Sequence, residues 1–228
     1  MPAYKDASLT FVHIPKAAGS TIQKVLANFY QANPATLGHR SINEMVYRAP
    51  GIFTYTSFAV IRDPADRVYS AWKHARRDPS LIHLFEGIFK LPFSEFIMQP
   101  NFINVYNRQL MFQPTARWLS IASWQKITKD PKWDTWLRKN PATPTHDILP
   151  SYGLRFENLE EDFIKLIGRI NTPFEKKKLI IESIQNTREN CSSDSYEPVD
   201  LVLSEEASNK LNKLYEVEYK INRLINFV

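Results

Sequence analysis

An apolar run from Leu9 to Ile14 stops at Pro15, passes through the small-residue loop Lys16-Ala17-Ala18-Gly19, and gives way at Ser20 to a second pattern. In that pattern Ile22, Val25, Leu26, Phe29 and Tyr30 recur at the spacing of one helix face. The succession predicts a buried strand, a tight loop and a helix N-terminus. Few folds tolerate this order, because a strand buried on both sides needs layers above and below it. The loop also has a chemistry of its own. The first turn of a helix carries N–H groups without intrahelical partners and a partial positive charge, which suits an anion. Ala17, Ala18 and Gly19 let backbone approach a phosphate, Ser20 and Thr21 add hydroxyls, and Lys16 adds a charge at the loop mouth. An ordinary strand–helix turn is the alternative reading of the same residues. A Walker loop is not present, since that motif sets Lys directly before the hydroxyl residue, whereas here Lys16 precedes the small residues.

The pattern repeats at Ser57-Phe-Ala-Val-Ile-Arg62, a second buried strand that ends in Asp63-Pro64. Proline suits the first turn of a helix, and Val68, Ala71, Trp72 and Ala75 mark the apolar face of the helix that follows. Two strand–helix units predict an α/β fold: a P-loop-like parallel sheet flanked by helices. Ligands in such sheets collect at the carboxyl ends of strands, where Lys16 and Arg62 both fall. The 228 residues fit one domain, with its core over 8–76 and 147–228 and a largely helical excursion over 77–146. The net charge of +5 suits an anionic ligand and is too small to argue for nucleic acid. The single cysteine, Cys191, leaves no internal disulfide and no cysteine zinc site. No secretory leader and no membrane-length apolar run is visible, so a cytoplasmic location is expected.

Two windows together resemble a known family. His13-Ile-Pro-Lys-Ala-Ala-Gly-Ser-Thr21 is similar to the 5′-phosphosulfate loop of sulfotransferases that use 3′-phosphoadenosine 5′-phosphosulfate (PAPS). Phe58-Ala-Val-Ile-Arg-Asp-Pro-Ala-Asp-Arg-Val-Tyr-Ser-Ala-Trp72 resembles their 3′-phosphate motif, R-x-P-x-x-R-x-x-S-x-[YW]. The style is that of the carbohydrate branch, with its heparan and chondroitin sulfotransferases. The resemblance implies transfer of a sulfuryl group from PAPS to a hydroxyl of a carbohydrate or polysaccharide acceptor, without a metal. It implies that Lys16 helps the leaving group, that Arg62 and Ser70 grip the 3′-phosphate, and that Lys16, Ala17, Ala18, Gly19, Ser20 and Thr21 hold the 5′ end. Arg188, in Gln185-Asn-Thr-Arg188, matches a late segment that closes over the nucleotide. Two alternatives stay open: a nucleotide-binding module of the same fold without turnover, and a kinase-like phosphotransferase.

Proton removal from the acceptor needs a base. Gly38-His39-Arg40-Ser41 resembles the stretch that carries the proposed base in the heparan 2-O-sulfotransferase type, which makes His39 the candidate. Glu44 and Asp63 are carboxylate alternatives. His74 lies in the helix after the phosphate motif, His83 and His146 lack motif context, and His13 reads as a packed core histidine.

The remaining expectations are structural. Short helices are predicted over Ile42 to Tyr47 and Phe93 to Met98, and a strand over Asp147 to Phe156. Asn158 with Glu161 predicts a capping box ahead of a helix with Phe163, Leu166, Ile167 and Ile170 inward. Leu154-Arg-Phe-Glu-Asn-Leu-Glu-Glu-Asp-Phe163 resembles the family's R-[YF]-E-x-L-x-x-D-F segment and reads as structural. Ser204 is expected to cap a last helix with a stripe of Leu211, Leu214, Tyr215, Ile221, Leu224 and Ile225. Trp118, Trp124, Trp133 and Trp136, interleaved with Lys126, Lys129 and Arg138, form either an acceptor surface or the packing of a helical subdomain.

Overall fold

A computed structural model describes residues 2–38, 40–78, 80–81, 85, 87–121, 147–148, 150–187, 202–216, 218–219 and 225–228. Its centre is a four-stranded sheet. Strands β1 (Ala3–Tyr4), β2 (Leu9–Val12), β3 (Thr56–Ile61) and β6 (Tyr152–Arg155) lie side by side in that order. The β2, β3 and β6 strands are parallel, and β1 runs antiparallel at one edge. All four residues of β2 are buried, and so are Ser57 to Ile61 of β3. This two-sided burial is why the strands read as continuous apolar runs instead of alternating ones.

Helices α1 (Gly19–Ala27), α2 (Ile42–Arg48), α7 (Leu159–Arg169) and α8 (Phe174–Asn186) pack with the sheet. Ile22, Val25 and Leu26 of α1 and Phe163, Leu166 and Ile167 of α7 meet Phe11, Phe58 and Leu154 in one apolar core. A second core lies around α3 (Pro64–Ala75). There Val68, Tyr69, Ala71, Trp72 and Ala75 join Phe93 and Phe96 of α4 (Phe93–Met98), Phe102 and Val105 of α5 (Phe102–Arg108), and Leu211 of α9 (Glu205–Leu214). Helix α3 thus follows directly on β3 and packs its apolar side into the second core.

The caps follow from side-chain chemistry. Asp63 accepts from the N–H groups of Ala65 and Asp66 at 2.8 and 3.2 Å and opens α3. Ser41 accepts from Glu44 N at the start of α2, and Ser204 accepts from Ala207 N at the start of α9.

Three local expectations are corrected. The strand expected over Asp147 to Phe156 is two strands. Asp147–Ile148 (β5) pairs antiparallel with Ser120–Ile121 (β4), whereas Tyr152–Arg155 (β6) joins the main sheet. Pro150 lies between them and has no N–H to give a ladder. The expected capping box is absent, since the Asn158 side chain makes no cap bond. Instead a turn over Phe156–Asn158 precedes α7, and Asp162 reaches back to Arg155, accepting from its N, Nε and Nη2 at 2.8, 2.9 and 2.6 Å. The stripe expected from Leu211 to Ile225 is also divided. Helix α9 ends at Leu214, Leu211 and Tyr215 lie in the second core, and Ile225 lies in the sheet core against Gly153, while Ile221 and Leu224 lie outside the described residues.

Burial by itself would raise the Asp162 carboxyl, but hydrogen bonds from Arg155 outweigh it and hold the group below its ordinary value. The stability it contributes is present above the unfolded carboxylate pKa and is lost as pH falls through the lower folded one. Asp162→Asn is accordingly expected to flatten the acid limb of a stability–pH profile below about pH 4. Thermal melts of both proteins across that range check this, and parallel limbs would count against it.

Candidate active site

The site begins with the register of the sheet. Val12 of β2 lies opposite Ala59 of β3, and extending that pairing puts Arg62 level with Pro15, one residue from Lys16. The two strand ends thus emerge together, and the Arg62 Nη1 donates to the Lys16 carbonyl oxygen at 3.2 Å. The guanidinium also lies over the Phe156 ring, 4.1 Å from its centroid.

The loop is held in an unusual backbone form. Lys16 and Ala18 both have positive φ, 65° and 53°, although neither is glycine. Such residues cost about 1–3 kcal/mol each and persist where the surroundings over-determine them, commonly at functional sites. Gly19 explains part of that constraint. A Cβ there would lie 1.9 Å from the His13 ring, so only glycine lets the imidazole lie against the start of α1. His13 also stacks on Phe11, with ring centroids 5.6 Å apart, in keeping with a packed histidine. Ala18 stands at the N-cap and offers no side-chain oxygen to the first-turn N–H groups of α1, where no acidic residue is found. Ala17, Gly19 and Thr21 are buried, Ala18 is half-buried and Ser20 is exposed.

Positive charge gathers around this loop. Burial lowers the Lys16 pKa, and Arg62 and then Arg77 lower it further. Burial likewise lowers the His74 pKa, with Lys16 and Arg77 acting in the same direction and Asp78 opposing them. Ser70 and His74 sit at i and i+4 on α3, and Arg77 follows two residues past its last turn; His74 and Arg77 lie within electrostatic reach of Lys16. His74 and Arg77 were absent from the motif-based set. The i+4 spacing of His74 from Ser70 was the available signal, but it points to a site only once β2 and β3 are known to be neighbours.

Both carboxylate alternatives for the base are otherwise engaged. Asp63 caps α3, and Glu44 is ion-paired with Arg40 and with Arg48. His39, His83, His146 and Arg188 lie outside the described residues, as do Trp124, Trp133 and Trp136. Trp118 is fully buried in the sheet core.

This arrangement of a small-residue loop, an uncapped helix start and neighbouring cations suits an anion. A family model described as the sulfotransferase family matches residues 4–221 of the chain. The chain belongs to the sulfotransferase family. The match spans the second core, most of the sheet core and every element that shapes the loop. Comparison with curated proteins and with solved structures found no match. As a member of its family this sulfotransferase is an enzyme of sulfuryl transfer that uses PAPS as donor. Among the described residues, no helix of the sulfotransferase is long and apolar enough to cross a membrane.

Phe156 is a residue that the motifs did not single out. It is half-buried and its ring backs the Arg62 guanidinium. Phe156→Leu keeps apolar bulk and removes the π face, a contact worth about 0.5–2 kcal/mol. The expected result is a donor KM raised by about three- to tenfold with kcat little changed. Steady-state kinetics at saturating acceptor measures both.

Proposed function

We propose that this enzyme transfers the sulfuryl group of PAPS to a hydroxyl of a carbohydrate or polysaccharide acceptor, with the donor held between the Lys16 loop and the Arg62–Ser70 segment. One observation carries the reading: Arg62 donates to the Lys16 carbonyl at 3.2 Å beside the uncapped start of α1, so two cationic residues meet at a helix N-terminus, where burial first and then Arg62 and Arg77 lower the Lys16 pKa. A protein gathers like charges in this way where an anion relieves them. The carbohydrate acceptor rests on the likeness of both motifs to that branch of the family.

In this reading the backbone of Ala17 to Thr21 takes the 5′ end of the donor, and the Arg62 fork with the Ser70 hydroxyl takes the 3′-phosphate. PAPS supplies an activated S–O bond whose cleavage leaves adenosine 3′,5′-bisphosphate. The Lys16 ammonium offsets the negative charge that gathers on the departing phosphate oxygen. As the new bond from acceptor oxygen to sulfur forms, a base takes the acceptor proton. His39 is the base suggested by the motif. His74 is a second candidate because burial and the Lys16 charge favour its neutral form, the form able to accept a proton.

The test is transfer of radiolabelled sulfate from PAPS to a panel of neutral and acidic polysaccharides, alongside calorimetric binding of adenosine 3′,5′-bisphosphate. Transfer to at least one acceptor together with bisphosphate binding supports the reading. Bisphosphate binding without any transfer favours the nucleotide-binding module, and loss of both sinks the assignment. His39→Ala and His74→Ala then separate the two candidate bases. The true base should lose turnover, and the acid limb of its kcat profile, far more than bisphosphate affinity.

A further inference from the structure

The main sheet does not stop at β6. Gly153 pairs in parallel with Phe227. Its N–H donates to the Asn226 carbonyl at 2.8 Å, and its own carbonyl accepts from Val228 N at 3.3 Å. Residues 225–228 thus cover the β6 edge, where a marginal strand would leave backbone polar groups unpaired. Ile225 is buried in the sheet core, and Val228 packs against the same core. The approach is close enough to require glycine. A Cβ on Gly153 would lie 2.5 Å from Ile225 Cγ2 and 3.0 and 3.1 Å from atoms of the Phe227 ring. A glycine inside a strand often marks such an approach of a second backbone, and here all three of those atoms belong to the covering segment.

The segment bears on the donor site through β6. Extending the Gly153–Phe227 pairing puts Val228 level with Leu154, two residues before Phe156. Phe156 follows β6 directly, and its ring backs the Arg62 guanidinium. On one side β3 holds β6, with Val60 opposite Leu154 and Ile61 opposite Arg155. On the other side residues 225–228 hold it. We infer that residues 225–228 are a positioning element for the donor's 3′-phosphate: they fix β6, and β6 fixes the Phe156 ring against Arg62. The inference rests on the reading above in which Arg62 takes that phosphate. A guanidinium already held in place has less freedom to lose when the phosphate arrives. The Lys16 loop, which takes the 5′ end in the same reading, follows β2, and β3 stands between β2 and β6. The effect of the segment therefore falls on the 3′ end of the donor.

The experiment measures calorimetric affinities for adenosine 3′,5′-bisphosphate and adenosine 5′-monophosphate in the full chain, in Gly153→Ala and in Val228→Pro. The ratio of the two affinities isolates the 3′-phosphate. Gly153 has no positive φ, so alanine suits its backbone and meets the covering segment first. Ile225 branches at Cβ and cannot easily turn aside. Val228→Pro removes one N–H of the segment and leaves β6 itself unchanged, so it keeps the test open where Gly153→Ala folds poorly. Both variants should lower the ratio about threefold, with monophosphate affinity little changed. In a Phe156→Leu background neither should lower it further, because the route through the ring is already cut. An unchanged ratio, an equal weakening of both nucleotides, or losses that add to that of Phe156→Leu overturns the positioning role. The parent protein keeps the two readings apart. If it prefers the bisphosphate and the variants keep that preference, only the positioning role fails. If it binds both nucleotides equally, the assignment of Arg62 to the 3′-phosphate fails, and the positioning role fails with it.

Discussion

Lys16→Ala is expected to lower kcat for sulfuryl transfer by two to three orders of magnitude, about 3–4 kcal/mol of transition-state stabilisation. Bisphosphate affinity should fall much less. Charge on the departing oxygen is greatest in the transition state, so the ammonium contributes most there. Arg62 is anchored on the Lys16 backbone carbonyl, which alanine retains. The pH dependence has a definite sign. Burial first, then Arg62 and Arg77, lower the Lys16 pKa in the folded protein. Activity that needs the ammonium should therefore decline on the alkaline side at a lower pH than an exposed lysine would allow. Arg77→Ala removes one of the like charges and should move that limb upward. In the absence of donor the charged lysine is disfavoured in the folded state. Stability should thus rise as pH climbs from the folded pKa of Lys16 towards its unfolded one. Single-turnover rates and bisphosphate titrations for the three proteins test these statements. A Lys16→Ala variant that loses affinity and turnover in equal measure would assign the lysine to binding alone.

The second large effect lies away from the chemistry. Arg67, on α3, is fully buried and ion-paired with buried Glu218 at 2.6 Å. Its guanidinium also donates to the carbonyls of Met111 and Gln113 at 3.0 and 2.9 Å, and Glu218 accepts from Thr115 N at 2.7 Å. Tyr215 donates its hydroxyl to the Phe112 carbonyl beside them. Removing one partner strands the other charge without water. Glu218→Ala should cost about 3–5 kcal/mol, a large share of the 5–15 kcal/mol typical of a folded domain. The double replacement Arg67→Met/Glu218→Leu removes both charges and should regain most of that loss. Urea unfolding of the three proteins gives the comparison, and a single-variant loss below about 1 kcal/mol would show that water reaches the pair. The same pair binds the helix that bears Ser70 and His74 to the segment around 111–115. Bisphosphate affinity is expected to follow stability through the series.

Much of the local structure was legible before any fold was known. The strand stops, the helix that follows Pro15, the Asp63-Pro64 start of α3 and the Ser204 cap are written in neighbouring residues. Each is decided by backbone chemistry within a turn or two: a missing N–H at proline, or an oxygen placed to accept at a helix start. The Asn158 capping box was misjudged for an equally physical reason. A better acceptor for the local backbone, Asp162, becomes available once α7 folds back on Arg155.

The sequence by itself determined an α/β chain with two strand–helix units, each ending at a cation suited to phosphate, because those features depend on contacts within a few residues. Tertiary structure alone decided that Arg62 meets the Lys16 loop, that Phe156 backs Arg62, that His74 and Arg77 come within electrostatic reach of Lys16, and that Arg67 pairs with a glutamate 151 residues away. Those contacts depend on which strands become neighbours and which helix faces are buried. Such choices are set by the summed burial of the whole core and not by any short stretch of chain.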